Sequence, residues 1–249
     1  MRIERKILLN PGPATTTDTV KTAMVVPDIC PREKEFQVVM GQVRRDLTAI
    51  VKGDGDFETV LFCGSGTAVM DVCINSVVTP GKKLAAINNG AYGLRMLQIA
   101  QAYRIPVVEF KYEWGTLPDL TAIDTAVSRD RDIGCIAMVH HETTTGLLNP
   151  VREMGQITTR YGCLFIVDAI SSYAGIPIDI HSIHADFLMS TSNKCIQGMA
   201  GLAFVISKKR ELKKIGRYPK RSFYLNLFQQ YDYFEKTGQM QFTPPVQIL

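Results

Sequence analysis

No two of the six cysteines in this 249-residue chain form a C-x-x-C pair, and most sit in apolar runs such as Val60-Leu61-Phe62-Cys63. A disulfide framework or a thiol redox motif is not indicated. The cysteines read as reduced, mostly small core residues of a cytoplasmic protein. Histidine is scarce: His140, His141, His181 and His184 are the whole set, with no His/Cys cluster at ligand spacing, so a metal site is not expected. No uninterrupted apolar run approaches the roughly 18 residues of a membrane span. The N-terminus Met1-Arg2-Ile3-Glu4-Arg5-Lys6 opens no long apolar stretch of secretory type. One-signed charge is also lacking. With 28 Lys+Arg against 24 Asp+Glu the net charge is +4, too small to imply a nucleic acid or an anionic membrane as partner. Neither a P-loop nor a G-x-G-x-x-G nor a G-x-S-x-G elbow is present.

What is present is an apolar chain, 46% hydrophobic and 21% charged, too apolar to be disordered and long enough to bury a large core. Short apolar runs alternate with helical patterns. Strands are expected at Thr59–Cys63, Lys83–Asn88, Pro106–Phe110, Ile133–Val139, Cys163–Val167, Phe187–Met189 and Ala203–Ile206. Helices are expected at Ala68–Val77, Tyr92–Tyr103, Leu120–Val127 and Val151–Tyr161. That alternation predicts an α/β fold with a mostly parallel sheet, whose ligands bind at the carboxyl ends of the strands.

Polar residues directly after apolar runs are therefore the candidates. Gly64-Ser65-Gly66-Thr67 follows a strand and opens a helix, where backbone N–H groups and hydroxyls suit a phosphate. Alone, it reads better as an ordinary glycine turn with a Ser or Thr cap. Asp168 ends the apolar run Cys163–Val167, where a carboxylate is costly to bury without a cation or strong donors. It reads either as a structural cap or salt bridge, or as the acceptor for a protonated ring nitrogen. Lys194, in Ser190-Thr191-Ser192-Asn193-Lys194, sits among small polar residues. It reads as a surface lysine or as an amine able to form a Schiff base. Together, a phosphate turn, a strand-end aspartate and a lysine 26 residues after it meet the three needs of pyridoxal 5'-phosphate. That cofactor requires N–H donors for its phosphate, an anion for its ring nitrogen and a lysine for its aldehyde.

The strings Leu8-Leu9-Asn10-Pro11-Gly12-Pro13, His141-Glu142-Thr143-Thr144-Thr145-Gly146 and Ser192-Asn193-Lys194-Cys195-Ile196-Gln197-Gly198 resemble the fold-type I pyridoxal-phosphate aminotransferases, in the alanine–glyoxylate and serine–pyruvate group. Within that group the similarity is greatest to the enzymes acting on 2-aminoethylphosphonate and pyruvate. The resemblance implies a mostly parallel, seven-stranded sheet flanked by helices. It implies Lys194 as the catalytic amine and proton carrier, and Asp168 as the partner that keeps the pyridine nitrogen protonated. Ser65, Gly66 and Thr67 would hold the phosphate, with Asn193 beside it. Tyr92 and Ile170 would take the two ring faces, and Thr143 the ring hydroxyl. Thr243 would reach the phosphate of a neighbouring subunit, which implies a homodimer with shared sites. Asn10, Pro11 and Gly12 would form a loop near the substrate. The implied division is an N-terminal substrate-loop segment, 1–20, and a large cofactor domain, 21–249. The family's small C-terminal domain and its carboxylate-holding arginine are expected to be missing, since no arginine follows Arg221. The resemblance leaves open an alanine–glyoxylate or serine–pyruvate specificity, or a cofactor-binding module without turnover. A cysteine desulfurase fits less well, because its cysteine belongs to a C-terminal loop; Cys195 reads as a packing residue.

Overall fold

The computed structural model describes residues 6–249. Helices α1 (Asp18–Ala23) and α2 (Lys34–Ile50) precede strand β1 (Phe57–Gly64) and helix α3 (Gly66–Val77). Then come β2 (Lys83–Asn88), α4 (Ala91–Ala102), β3 (Val107–Lys111), α5 (Leu120–Arg129) and β4 (Ile133–Val139). A two-residue hairpin, β5 (His141–Glu142) with β6 (Leu147–Leu148), leads to α6 (Val151–Tyr161) and β7 (Leu164–Asp168). The chain closes with β8 (Phe187–Thr191), β9 (Gly201–Lys208), α7 (Lys209–Ile215) and α8 (Leu227–Thr237).

Seven strands form one sheet in the order β1-β9-β8-β7-β4-β2-β3. The pairs β3/β2, β2/β4, β4/β7 and β7/β8 are parallel, while β9 runs antiparallel to both β8 and β1. β1 therefore points the same way as the parallel strands, and the carboxyl ends of six strands share one edge with the start of β9. The expected mostly parallel, seven-stranded α/β sheet is what forms.

Side-chain alternation sends each strand into two cores. Ile136, Met138, Phe165 and Val167 join Phe36 and Met40 of α2, Ile123 of α5 and Met154 of α6. Cys135, Ala137, Leu164 and Ile166 join Val69 and Ile74 of α3, Met96 of α4 and Leu212 of α7. The sheet is thus covered on both faces, as parallel sheets require. Asp168 continues the Leu164–Ile166 row, so its carboxylate emerges on the face where α3 and α4 pack. Asp119 caps α5 by accepting from Ala122 N–H, and Asn226 caps α8 by accepting from Gln229 N–H.

Several elements lie outside the sequence expectations: α1, α2, α7, α8 and the β5–β6 hairpin. Helix α1 spans the expected division after residue 20. The cysteine reading holds for Cys73, Cys135 and Cys163, which are buried, but Cys195 and Cys30 are exposed. Cys195 is thus not a packing residue: the turn after Lys194 leaves it at the surface, its thiol 3.5 Å from the Ser171 carbonyl.

Candidate active site

A cavity of about 520 Å³ opens at the carboxyl edge of the sheet, within the size range of sites for small ligands. Its walls come from four places. The β1–α3 turn supplies Gly64, Ser65, Gly66 and Thr67. Helix α4 supplies Tyr92 and Arg95. The segment after β4 supplies His141 and Thr143. The ends of β7 and β8 supply Asp168, Ile170, Asn193 and Lys194.

The β1–α3 turn leaves its donors available. Ser65 occupies the N-cap of α3 in extended geometry but makes no side-chain capping bond to its own helix. The first-turn residues Gly66 and Thr67, at the positive end of a 12-residue helix, line the cavity, and the Ser65 side chain caps none of their N–H groups. Gly66 gives the Ile170 side chain room: a Cβ there would lie 2.9 Å from Cδ1 of Ile170, which would have to shift. The turn and the wall after β7 are in contact at that point.

Asp168 is 2% exposed and forms no ion pair among the described residues. One oxygen accepts from the Ile170 N–H at 2.9 Å. Burial pushes its carboxyl up to about 7; the Ile170 N–H opposes that shift, and the Glu142 carboxylate adds to it. A buried carboxylate held by a single backbone donor is complementary to a cationic N–H from a ligand. The Asp168 row position, the alternation of β7 and the open cavity in front of it produce that complementarity.

Lys194 lines the same cavity on the turn that follows β8, and it forms no ion pair among the described residues. The turn is fixed by backbone. Gly198 N–H donates to the Ser192 carbonyl at 2.8 Å, Gln197 N–H to the Lys194 carbonyl at 2.9 Å, and the Ser192 hydroxyl to the Leu202 carbonyl at 3.0 Å. Asn193 accepts from the Thr191 hydroxyl at 3.0 Å, and its carbonyl accepts from Ala14 N–H at 3.0 Å. That last bond docks the N-terminal loop onto the lysine turn. A Cβ on Gly12 would lie 2.7 Å from Lys194 Nζ, so a larger residue there would displace the flexible end of the lysine.

The structure brings together Ser65, Gly66, Thr67, Tyr92, Thr143, Asp168, Ile170, Asn193 and Lys194 around one cavity, with Gly12 against the lysine. Asn10 and Pro11 are exposed and do not line it. Thr243 is exposed as well; its carbonyl accepts from the Cys63 thiol at 3.5 Å, and it does not line the cavity of its own chain.

Two residues of consequence escaped the sequence reading. Glu142 is fully buried in the β5–β6 hairpin. Its carboxylate accepts from Tyr92 N–H at 3.1 Å and Gly93 N–H at 3.3 Å, and from the Thr144 hydroxyl at 2.7 Å. It therefore caps α4 from another segment and sets where Tyr92 stands. Arg95 lies one turn beyond Tyr92, its guanidinium carbon 4.8 Å from the Tyr92 ring centre, and it donates to the Thr67 hydroxyl at 3.1 Å. An acid after an apolar strand was the available signal for Glu142. A cation at i+3 from a cavity tyrosine was the signal for Arg95. No group of three or more His, Cys, Asp or Glu able to hold a metal occurs among the described residues.

The residues present fit pyridoxal 5'-phosphate: an uncapped helix N-terminus, a buried carboxylate lacking a cation, and an unpaired lysine amine face one another across a cavity of the right size. This is the constellation of an α/β transferase built around that cofactor. The chain belongs to the family described as aminotransferase class-V, whose model matches residues 21–237, and that family depends on pyridoxal phosphate. It is 42% identical over 244 residues to the 2-aminoethylphosphonate–pyruvate transaminase of Salmonella schwarzengrund strain CVM19633, and 41% identical over 243 residues to that of Salmonella typhimurium. Each alignment takes in 96% of this chain and 65% of the relative, so the chain spans about two thirds of those relatives' length. Among solved structures it is similar to an alanine–glyoxylate aminotransferase from Nostoc sp., with a TM-score of 0.91 and 26% identity, over 100% of this chain and 66% of that one.

Proposed function

We propose that the protein transfers the amino group of 2-aminoethylphosphonate to pyruvate, giving phosphonoacetaldehyde and L-alanine. The observation that carries the transaminase reading is the buried, cation-free carboxylate of Asp168 in one cavity with the amine of Lys194. The substrate pair rests on the relatives at 41–42% identity, whose names state it.

When bound, pyridoxal phosphate supplies an electrophilic carbon and a ring that withdraws electrons from the substrate carbon bearing the amino group. Lys194 Nζ would hold the cofactor through its electrophilic carbon and, once the substrate amine has taken that place, would carry the proton from the substrate carbon. Its turn is tied to backbone at both ends, so the amine moves on its own four-carbon stem while its attachment stays fixed. Asp168 would accept a ring N–H⁺, a cation that would bring the carboxyl back toward its ordinary range and keep it ionised. Tyr92 and Ile170 would take the two faces of a planar ring, and Gly66 lets the Ile170 side chain approach the phosphate turn. Thr143 offers a hydroxyl to the ring substituent, and Asn193 an amide near the phosphate. Gly12 lies against the lysine, and the exposed Asn10 and Pro11 before it would meet the substrate from the solvent side.

A homodimer with shared sites is part of the same reading. It is supported by the exposure of Thr243 beside an aromatic cluster in which the exposed Phe223 and Tyr224 pack on the half-buried Phe242. A cytoplasmic setting is supported by six unpaired thiols. No helix among the described residues is long and apolar enough to cross a membrane.

The test has two stages. Purified protein should take up pyridoxal phosphate, and borohydride should fix it on a peptide containing Lys194, which Lys194→Ala abolishes. Alanine should then form from pyruvate with 2-aminoethylphosphonate, faster than glycine forms from glyoxylate with alanine, or alanine from pyruvate with serine. Absence of cofactor uptake overturns the transaminase reading; a faster rate with serine or glyoxylate overturns the substrate.

A further inference from the structure

Arg95 is a cation without a counter-ion. It is half-buried, lines the candidate active-site cavity, and has no carboxylate within ion-pair reach among the described residues. Its guanidinium is instead engaged on two neutral groups, the face of Tyr92 and the hydroxyl of Thr67. The second contact has a directional consequence. A guanidinium only donates, so Thr67 Oγ1 must be the acceptor of that 3.1 Å bond. The single hydroxyl hydrogen of Thr67 is thereby free for some other acceptor. Thr67 lies in the first turn of α3, where Ser65 makes no capping bond. Around that turn the N–H groups, the Thr67 O–H and the remaining Arg95 N–H groups are all donors; the Asp168 carboxylate in the same cavity feels the Arg95 charge but forms no ion pair with it. Such a set is complementary to an oxyanion of multiple charge.

We propose that Arg95 is the positioning residue for the phosphate monoester end of the ligand, holding Thr67 in its donor orientation and supplying the positive charge the turn otherwise lacks. The proposal rests on the cofactor reading above. It differs from a role in packing, in which Arg95 only props the Tyr92 ring. That alternative predicts loss of binding for any planar ring held against Tyr92, with or without a phosphate.

The measurement is equilibrium binding of pyridoxal phosphate, and separately of pyridoxal, to cofactor-free protein prepared from the whole chain. Arg95→Gln should weaken pyridoxal phosphate about tenfold or more, as expected for loss of a charged hydrogen bond, and leave pyridoxal unchanged. Arg95→Lys, which keeps the charge, should recover part of the loss, and it serves if Arg95→Gln does not fold. In a Thr67→Ala background, Arg95→Gln should cost less than in the wild type, because part of its effect passes through that hydroxyl. Equal losses for the two compounds, no loss for either, or strict additivity with Thr67→Ala combined with no rescue by lysine would overturn the proposal. Wild-type protein that binds neither compound overturns the cofactor reading itself, which is a separate result.

Discussion

Lys194 is governed at the residue scale by its neighbour Gly12, which belongs to a loop some 180 positions earlier in the chain. The missing Cβ leaves room for the flexible end of the lysine. Gly12→Ala places a methyl against Cδ and 2.7 Å from Nζ, and the flexible end that must yield is the reactive one. Overpacking of this kind costs about 1–3 kcal/mol where nothing can move. Here the loop is half-exposed and can shift, so thermal melting should change little. The expected outcome is a fall in borohydride-trapped cofactor on Lys194 with a near-native melting curve. An unaltered trapping yield would show that the loop does not constrain the lysine. Asp168 was legible in the sequence because it stands directly after an apolar run, where the sheet delivers it to the ligand edge; Lys194, set among small polar residues past Met189, was legible only in combination with that aspartate and the glycine turn. Gly12 was legible only through a resemblance in its string; its physical reason, contact with a residue remote in sequence, exists only in the folded chain.

At the scale of the element, helix α4 carries two cavity residues, Tyr92 and Arg95, and is anchored by an acid that is not part of it. Gly90 at its N-cap makes no side-chain capping bond. Glu142 from the β5–β6 hairpin takes that part, accepting from the N–H groups of Tyr92 and Gly93 while fully buried. Glu142→Ala leaves those donors and the Thr144 hydroxyl without their acceptor, a loss of about 2 kcal/mol or more by the cost of unsatisfied buried groups. The expected result is a lower denaturant midpoint, together with weaker binding of both pyridoxal and pyridoxal phosphate, since the Tyr92 wall shifts for either. That pattern separates Glu142 from Arg95, whose substitution should discriminate between the two compounds. The hairpin itself was not legible as an element, because strands of two residues carry no alternation. α2 was missed for a different reason. Its buried face combines Phe36 and Met40 with Arg44 and Thr48, and the polar pair blurs the apolar stripe. Arg44 is tolerated there because it donates to the Thr59 carbonyl, meets Glu58 and Glu235, and stacks on Phe234. By contrast, β2, β4 and α6 match their expected bounds, since both faces of a central strand, or a clear helical stripe, lie against core.

For the whole molecule, Asp168 and the buried His140 pull the pH dependence of folding in opposite directions. The Asp168 carboxyl rises from 3.8 to about 7 on burial, so the folded state holds that proton more tightly than the unfolded chain. Its share of stability is complete below pH 3.8 and is lost as pH climbs toward 7. His140, whose Nδ1 is paired with the Ser172 hydroxyl, falls from 6.5 to about 4, chiefly through burial. There the unfolded state binds the proton more readily, so stability from His140 is complete above pH 6.5 and is lost as pH drops toward 4. Over the interval between about 4 and 6.5 the two slopes nearly cancel in the cofactor-free protein. Asp168→Asn removes one of them. Its stability relative to wild type should then climb with pH across that interval and on to about 7, by about 4 kcal/mol at most. Chemical denaturation at a series of pH values reads this directly, and parallel curves for the two proteins would refute it. Loading the wild type with pyridoxal phosphate should have the same effect on the slope as the substitution, because a ring N–H⁺ against Asp168 keeps the carboxylate ionised in the folded state and cancels the penalty that burial imposes.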